Sequence, residues 1–251
     1  MSQITTYLQR IGYNGTPRAD FTTLHNLQRL HLQTVPYENL DIMRGVPLSL
    51  EVGDIYDKIV LRRRGGYCFE LNALFAWLLK SLGFMVTSYM ARFLRGETEV
   101  PMRRHRVLKV TVGDAVYLAD VGCGGMIPRT PVPIICGKVS EQNGEKYVLK
   151  NEDFLGYVLY EWRNGSWRRI YSFTDEPQLE KDFIAVSYYC ETHPDSFFRT
   201  QDMVHVFTGG GRKSVAGGEV RLFTSEGVKV IVPASKEIYH ELLNTHFGIC
   251  L

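Results

Sequence analysis

Apolar residues recur at helical spacing three times in the first third of the chain. Phe21, Leu24, Leu27 and Leu30 share one face behind Asp20, whose carboxylate can cap a first turn, and Pro36 closes the segment. Ser49 is expected to cap a second helix that carries Val52, Ile55, Ile59 and Val60 inward. A third helix is predicted from Cys68 to Leu82, where Leu71, Leu74, Phe75, Leu78 and Leu82 form one stripe and Gly83 supplies the stop.

The period then changes. Phe84–Phe93, Arg106–Val112, Ala115–Val121 and Tyr147–Lys150 alternate as strands do, and Tyr157–Arg163 and Trp167–Phe173 form a hairpin through Asn164-Gly165. Shorter strands are expected at Met203–Thr208, Val220–Thr224 and Val228–Val232, then a helix from about Ser235 to Phe247. Helices followed by strands imply an α+β fold and not an alternating α/β wrap.

With 251 residues, 45% of them hydrophobic, the chain can bury a sizeable core, and a net charge of +2 requires neither nucleic acid nor an acidic membrane as partner. The opening MSQITTYLQR lacks the pattern of a signal peptide, and no run is long and apolar enough to span a bilayer, so a soluble, cytoplasmic protein is expected. The five cysteines include no CxxC pair and read as free thiols. The seven histidines lack metal-ligand spacing, and no metal is expected.

Within this frame one constellation carries chemistry. Cys68 follows Gly65-Gly66 at a helix start, where first-turn N–H groups and the helix dipole are expected to lower a thiol pKa. Read in isolation, it could equally be a small buried residue. A nucleophilic cysteine needs a base, and the base an orienting group. If Gly113-Asp114 is a two-residue turn, Val112 faces Ala115 and Val107 faces Asp120, so Asp120 lies diagonal to His105 on one face. A slip of one residue would separate them.

These residues resemble the arylamine N-acetyltransferase family. Arg64-Gly65-Gly66-Tyr67-Cys68-Phe69-Glu70 is similar to its nucleophile motif, and the segments starting at His105 and ending at Asp120-Val121-Gly122 to those supplying its histidine and aspartate. Val35–Asp41, Tyr7–Tyr13, Tyr188-Tyr189 and His193–Ser196 match in the same order. The resemblance implies a helical bundle (1–83), a central β-barrel (84–185) and a C-terminal α/β lid (186–251) around a papain-like or transglutaminase-like core. It further implies ping-pong transfer from acetyl-CoA through an acetyl-cysteine to an arylamine or arylhydrazine, with Cys68, His105 and Asp120 catalytic. Met102, Tyr189 and Asp195 match positions near CoA, and Tyr37 and Cys123 fall in the acceptor pocket.

Cys123 departs from the family's usual phenylalanine, which predicts a roomier pocket, and Tyr37 adds a hydroxyl where phenylalanine is common. The chain lacks the length for the insertion of eukaryotic members, implying a bacterial-type enzyme of xenobiotic metabolism with an open cleft. The runs Arg62–Arg64 and Arg103–Arg106, Arg104 among them, are either solvated faces or attractants for CoA phosphates; Gly209–Lys213 is either a hairpin loop or a phosphate cradle. His25 and His31 are expected to be surface or packing residues. A hydrolase on the same three residues, or a CoA- or aromatic-binding protein with an inert Cys68, are the competing readings.

Overall fold

The fold is taken from a computed structural model that describes residues 1–125 and 127–251. Helix α1 (Gln3–Arg10) precedes α2 (Phe21–Thr34), which Asp20 caps by accepting the Thr23 N–H at 2.8 Å. Strand β1 (Tyr37–Glu38) and the short α3 (Leu40–Met43) follow. Helix α4 (Val52–Tyr56) runs into a turn of π-helix at Asp57–Leu61. Its N-cap is Glu51 and not Ser49: the Ser49 hydroxyl donates to Asp54 and accepts the Glu51 N–H, which ties down the approach to the helix without capping it. Helix α5 (Cys68–Ser81) is buried almost throughout, and Gly83, at φ +88°, adopts the left-handed turn that ends it.

An eight-stranded antiparallel sheet packs against α5. It comprises β2 (Met85–Phe93), β3 (His105–Val112), β4 (Ala115–Ala119), β5 (Val132–Pro133), β6 (Val139–Gln142), β7 (Glu145–Glu152), β8 (Gly156–Arg163) and β9 (Ser166–Gln178). Its order, β5-β4-β3-β2-β9-β8-β7-β6, leaves β5 and β6 as edges. The barrel is therefore nearly closed. Across the seam the Gln142 amide accepts the Thr130 N–H at 2.9 Å and donates to the Thr130 carbonyl at 3.0 Å.

Helix α6 (Asp182–Thr192) leads to a second sheet of β10 (Val204–Thr208), β11 (Gly211–Ala216), β12 (Glu219–Thr224) and β13 (Gly227–Ile231), and α7 (Lys236–Phe247) follows, capped by Ser235. One edge of this sheet is β1, with Tyr37 opposite His205, and the other is β13. One large core joins α1, α2 and α5 to the barrel, while Val204, Val206, Val215, Val220, Leu243 and Phe247 belong to a smaller separate one. Among the described residues no helix is long and apolar enough to cross a membrane.

Candidate active site

Cys68 opens α5 because the preceding glycines allow a close turn. A Cβ on Gly65 would lie 2.1 Å from the Pro36 carbonyl oxygen, so only glycine fits there. Glu70 reaches back to accept the Tyr67 N–H at 3.1 Å, fixing the helix start, and its other oxygen accepts from Lys58 at 2.8 Å. Lys58 also pairs with Asp41, and Arg64 with Glu38 and Asp41, so five buried charges brace the turn. Burial by itself lowers the Lys58 pKa, but Glu70, Glu38 and Asp41 outweigh it and raise the pKa above its ordinary value.

The expected register holds: Val112 pairs with Ala115 and Leu108 with Ala119, and positive φ at Gly113 makes the turn. His105 Nε2 lies 2.7 Å from Asp120 Oδ2. The other carboxylate oxygen accepts the Gly122 N–H at 2.8 Å and the Asn72 amide at 2.9 Å. Asn72 donates a second time to the Arg106 carbonyl and accepts the Val121 N–H at 3.0 Å, so it ties α5 to both strands. Asn72 was not singled out from sequence. Its signal was the i, i+4 spacing from Cys68, which puts both on one helix face. Gly122 permits the close approach, since a Cβ there would lie 2.8 Å from Cys68 Cα.

Cys68, His105, Tyr37, Cys123 and Arg104 line one cavity of about 590 Å³, with Phe93, Arg95, Phe197, Phe198, His205 and Arg212. A cleft of about 690 Å³ opens at the barrel seam beside Phe21 and Tyr117, and none of these side chains line it. Met102, Tyr189 and Asp195 do not line the cavity around Cys68. Met102 is partly exposed, Tyr189 stacks on His193, and the Asp195 side chain is open to solvent.

The Cys68 thiol differs from expectation. Burial pushes its pKa well above the usual thiol range, Cys190 and Asp120 add to that, and a backbone hydrogen bond from Arg106 only partly opposes them. Desolvation at this buried helix start thus outweighs the first-turn N–H groups, and Sγ has the Arg104 carbonyl at 3.7 Å as a partner. Burial likewise pushes Cys123 and Cys190 up to about 12.

Most cations of the two basic runs have acidic neighbours, while Arg63 is exposed and Arg104 also lines the cavity. Arg62 pairs with Asp57, Arg64 with Glu38 and Asp41, Arg103 with Glu176 and Arg104 with Glu97, while Arg106 is fully buried against Glu180 and Phe183. Gly209–Lys213 is a β-hairpin: Thr208 pairs with Gly211, and Lys213 donates to the His246 carbonyl. Arg212, just beyond the turn, is the part of that segment that reaches the cavity. His31 is fully buried and hydrogen-bonded to the Tyr7 hydroxyl at 2.8 Å. No cluster of three or more His, Cys, Asp or Glu side chains among the described residues could hold a metal.

A family model described as N-acetyltransferase matches residues 20–251. The arylamine N-acetyltransferase of Mycobacterium tuberculosis is 34% identical over 252 residues, covering 98% of this chain and 89% of that protein. That of Mycolicibacterium smegmatis is 35% identical, with 98% and 91% covered. Among solved structures, the Salmonella typhimurium arylamine N-acetyltransferase superimposes with a TM-score of 0.94 at 26% identity, covering 99% of this chain and 92% of that one. The Mycobacterium marinum arylamine N-acetyltransferase in complex with CoA gives a TM-score of 0.91 at 32% identity, with 98% and 92% covered.

Proposed function

Given that the chain belongs to the arylamine N-acetyltransferase family, we propose that it moves an acetyl group from acetyl-CoA to an aromatic amine or hydrazine through an acetyl-Cys68 intermediate. The observation that carries this reading is the 2.7 Å His105–Asp120 pair in the cavity that Cys68 lines.

The buried thiol stays protonated by itself, so the thiolate forms by passing its proton to His105, creating an ion pair in which neither charge is left alone. Asp120 holds Nε2, which leaves Nδ1 to face the sulfur, and its charge stabilises the imidazolium. Because Asn72 and Gly122 N–H occupy the second carboxylate oxygen, Asp120 is fixed in orientation as well as charge. The thiolate attacks the acetyl-CoA carbonyl; the Cys68 N–H, at the open start of α5, donates to the developing oxyanion. Collapse expels the CoA thiolate, which takes the imidazolium proton and leaves acetyl-Cys68 and neutral His105. The incoming amine attacks that thioester, His105 accepts its proton, and the thiol is regenerated.

Of the residues expected at the substrate, Tyr37 and Cys123 keep the role of acceptor contacts and Arg104 that of a CoA contact. The division at 1–83, 84–185 and 186–251 belongs to this reading. The first part brings the nucleophile, the second the base and its orienter, and the third covers the cavity.

The test is intact-mass spectrometry after mixing with acetyl-CoA. One acetyl adduct is expected, absent in Cys68→Ala and discharged onto an added aromatic amine. An adduct that decays equally fast without amine would instead make the protein a hydrolase.

A further inference from the structure

Strand β9 places against the His105–Asp120 pair a tyrosine that no step of the transfer uses. Tyr171 is fully buried, and its ring lies 5.3 Å from the His105 imidazole, centroid to centroid. Ala91, opposite His105 on the intervening β2, is small enough to let that ring reach across. The Tyr171 hydroxyl has no hydrogen-bond partner among the described residues, and a phenolic O–H shut away from water is costly unless it donates. Burial, then Asp120, Cys123 and Tyr147, raise its pKa well above the usual phenol range, so it keeps its proton. Burial likewise keeps Cys123, Tyr147 and, on α5, Cys68 protonated, which leaves Asp120 as the anion among these neighbours. Further out, Arg95 and Glu161 pair with each other at 3.2 Å. Asp120 Oδ1 takes two donors, from Asn72 and the Gly122 N–H, while among the described residues Oδ2 takes His105 alone. A buried donor in need of an acceptor thus stands beside a carboxylate oxygen with a lone pair to spare.

From this geometry we infer that Tyr171 is a positioning residue of the relay: its hydroxyl donates to Asp120 Oδ2 and limits how strongly the carboxylate holds the His105 proton. Hydrogen bonds of this kind are commonly long in an unliganded site and tighten with substrate. Asp120 must be anionic enough to orient the imidazole. A carboxylate that overstabilised the imidazolium would leave His105 protonated when the amine arrives, with no base to take the amine proton. A neutral phenol draws off part of the carboxylate charge without adding a charge of its own. The inference rests on the relay proposed for Cys68, His105 and Asp120, but part of its test needs neither acetyl-CoA nor an amine.

The test is Tyr171→Phe in the full-length protein, which keeps the ring packed on His105 and removes only the hydroxyl. Two rates are followed against pH: alkylation of Cys68 by iodoacetamide, and discharge of the acetylated protein by an aromatic amine. Without the hydroxyl, Asp120 favours the imidazolium more strongly. Alkylation at pH 8 should then quicken about three- to tenfold, while the acid limb of amine discharge moves up by about half to one pH unit and slows that step at pH 6. A tyrosine that only fills space predicts no change or a slowing of both rates, and either result overturns the inference. In the Asp120→Asn protein, Tyr171→Phe should change alkylation by less than about twofold, because the acceptor of the bond is gone. A larger change there also overturns it, since the hydroxyl would then act elsewhere. If acetyl-CoA fails to acetylate the protein at all, the acyl-transfer reading falls, and the alkylation profile still decides the role of Tyr171.

Discussion

The two walls of the cavity are held in different ways. On the α5–β3–β4 side, His105, Asp120 and Asn72 are buried and mutually bonded, and their backbone is anchored in the large core. On the β10–β12 side the backing core is small, Val228 and Val230 of the outermost strand are exposed, and among the described residues the buried His205 Nε2 has no hydrogen-bond partner, while Arg212 is held by stacking on Phe223. A proton relay works only if its groups keep their angles, so it belongs where those groups are held by their neighbours, as Asp120 is by Asn72 and the Gly122 N–H. Recognition can use groups left unsatisfied, because the ligand completes them.

The comparison can be broken from its rigid side first. Asp120→Asn should keep the packing but present the wrong donor to His105, and transfer should fall by about 10⁴-fold, as measured by the rate of Cys68 acetylation. A loss of under tenfold would mean that Asp120 only fills space. The two cores come next. Leu74→Ala and Leu243→Ala each remove a fully buried side chain and should each cost about 2–5 kcal/mol. Hydrogen exchange should separate them: Leu74→Ala lowers protection throughout, while Leu243→Ala lowers it in β10–β13 and α7 alone. Uniform loss in both would show one cooperative unit.

Besides His105, each half buries an imidazole, His31 in one and His205 in the other, whose pKa burial lowers to about 3. The unfolded chain protonates these groups near 6.5 while the folded chain does not, so the unfolded state binds more protons and stability falls as pH drops below 6.5. From pH 7 to 5.5 each should cost about 1 kcal/mol, read from urea midpoints, and His31→Leu or His205→Leu should remove its own share. The smallest effect concerns selectivity. Cys123→Phe narrows the acceptor space, so anilines with bulky para groups should lose about tenfold in kcat/KM relative to aniline. Unchanged ratios would remove Cys123 from the acceptor wall.

Local features of this fold could be read from the chain. The stripe on α5, the Asp20 cap and the positive-φ turns at Gly113 and Asn164-Gly165 depend on neighbours within a few residues, and the turn at Gly113 set the register that joins His105 to Asp120. The two-residue strands β1 and β5 carry no periodicity to detect. Helix α6 has apolar side chains on several sides, among them Phe183, Ile184, Val186 and Tyr188, so no stripe marks it. Arg106 looked like surface charge because Glu180, which neutralises it, lies 74 residues further on. The Cys68 pKa depended on burial by the whole fold, which a motif cannot report. The Arg212–His205 wall was hidden for the same reason: one residue sat in an apparent glycine loop and the other in an unremarkable strand.

Strand β1 has a consequence for how the protein is made. Tyr37 leaves the ribosome about 170 residues before its partner His205. At synthesis rates of roughly 5–20 residues per second, the first strand of the C-terminal sheet waits on the order of ten to thirty seconds for the second. The helix bearing Cys68 and the barrel bearing His105 and Asp120 are complete before then, and their shared core lets them dock first. The nascent chain thus carries the Cys68 thiol beside an unroofed cavity until nearly the end of translation, an interval in which a chaperone or an electrophile could reach what the finished protein encloses.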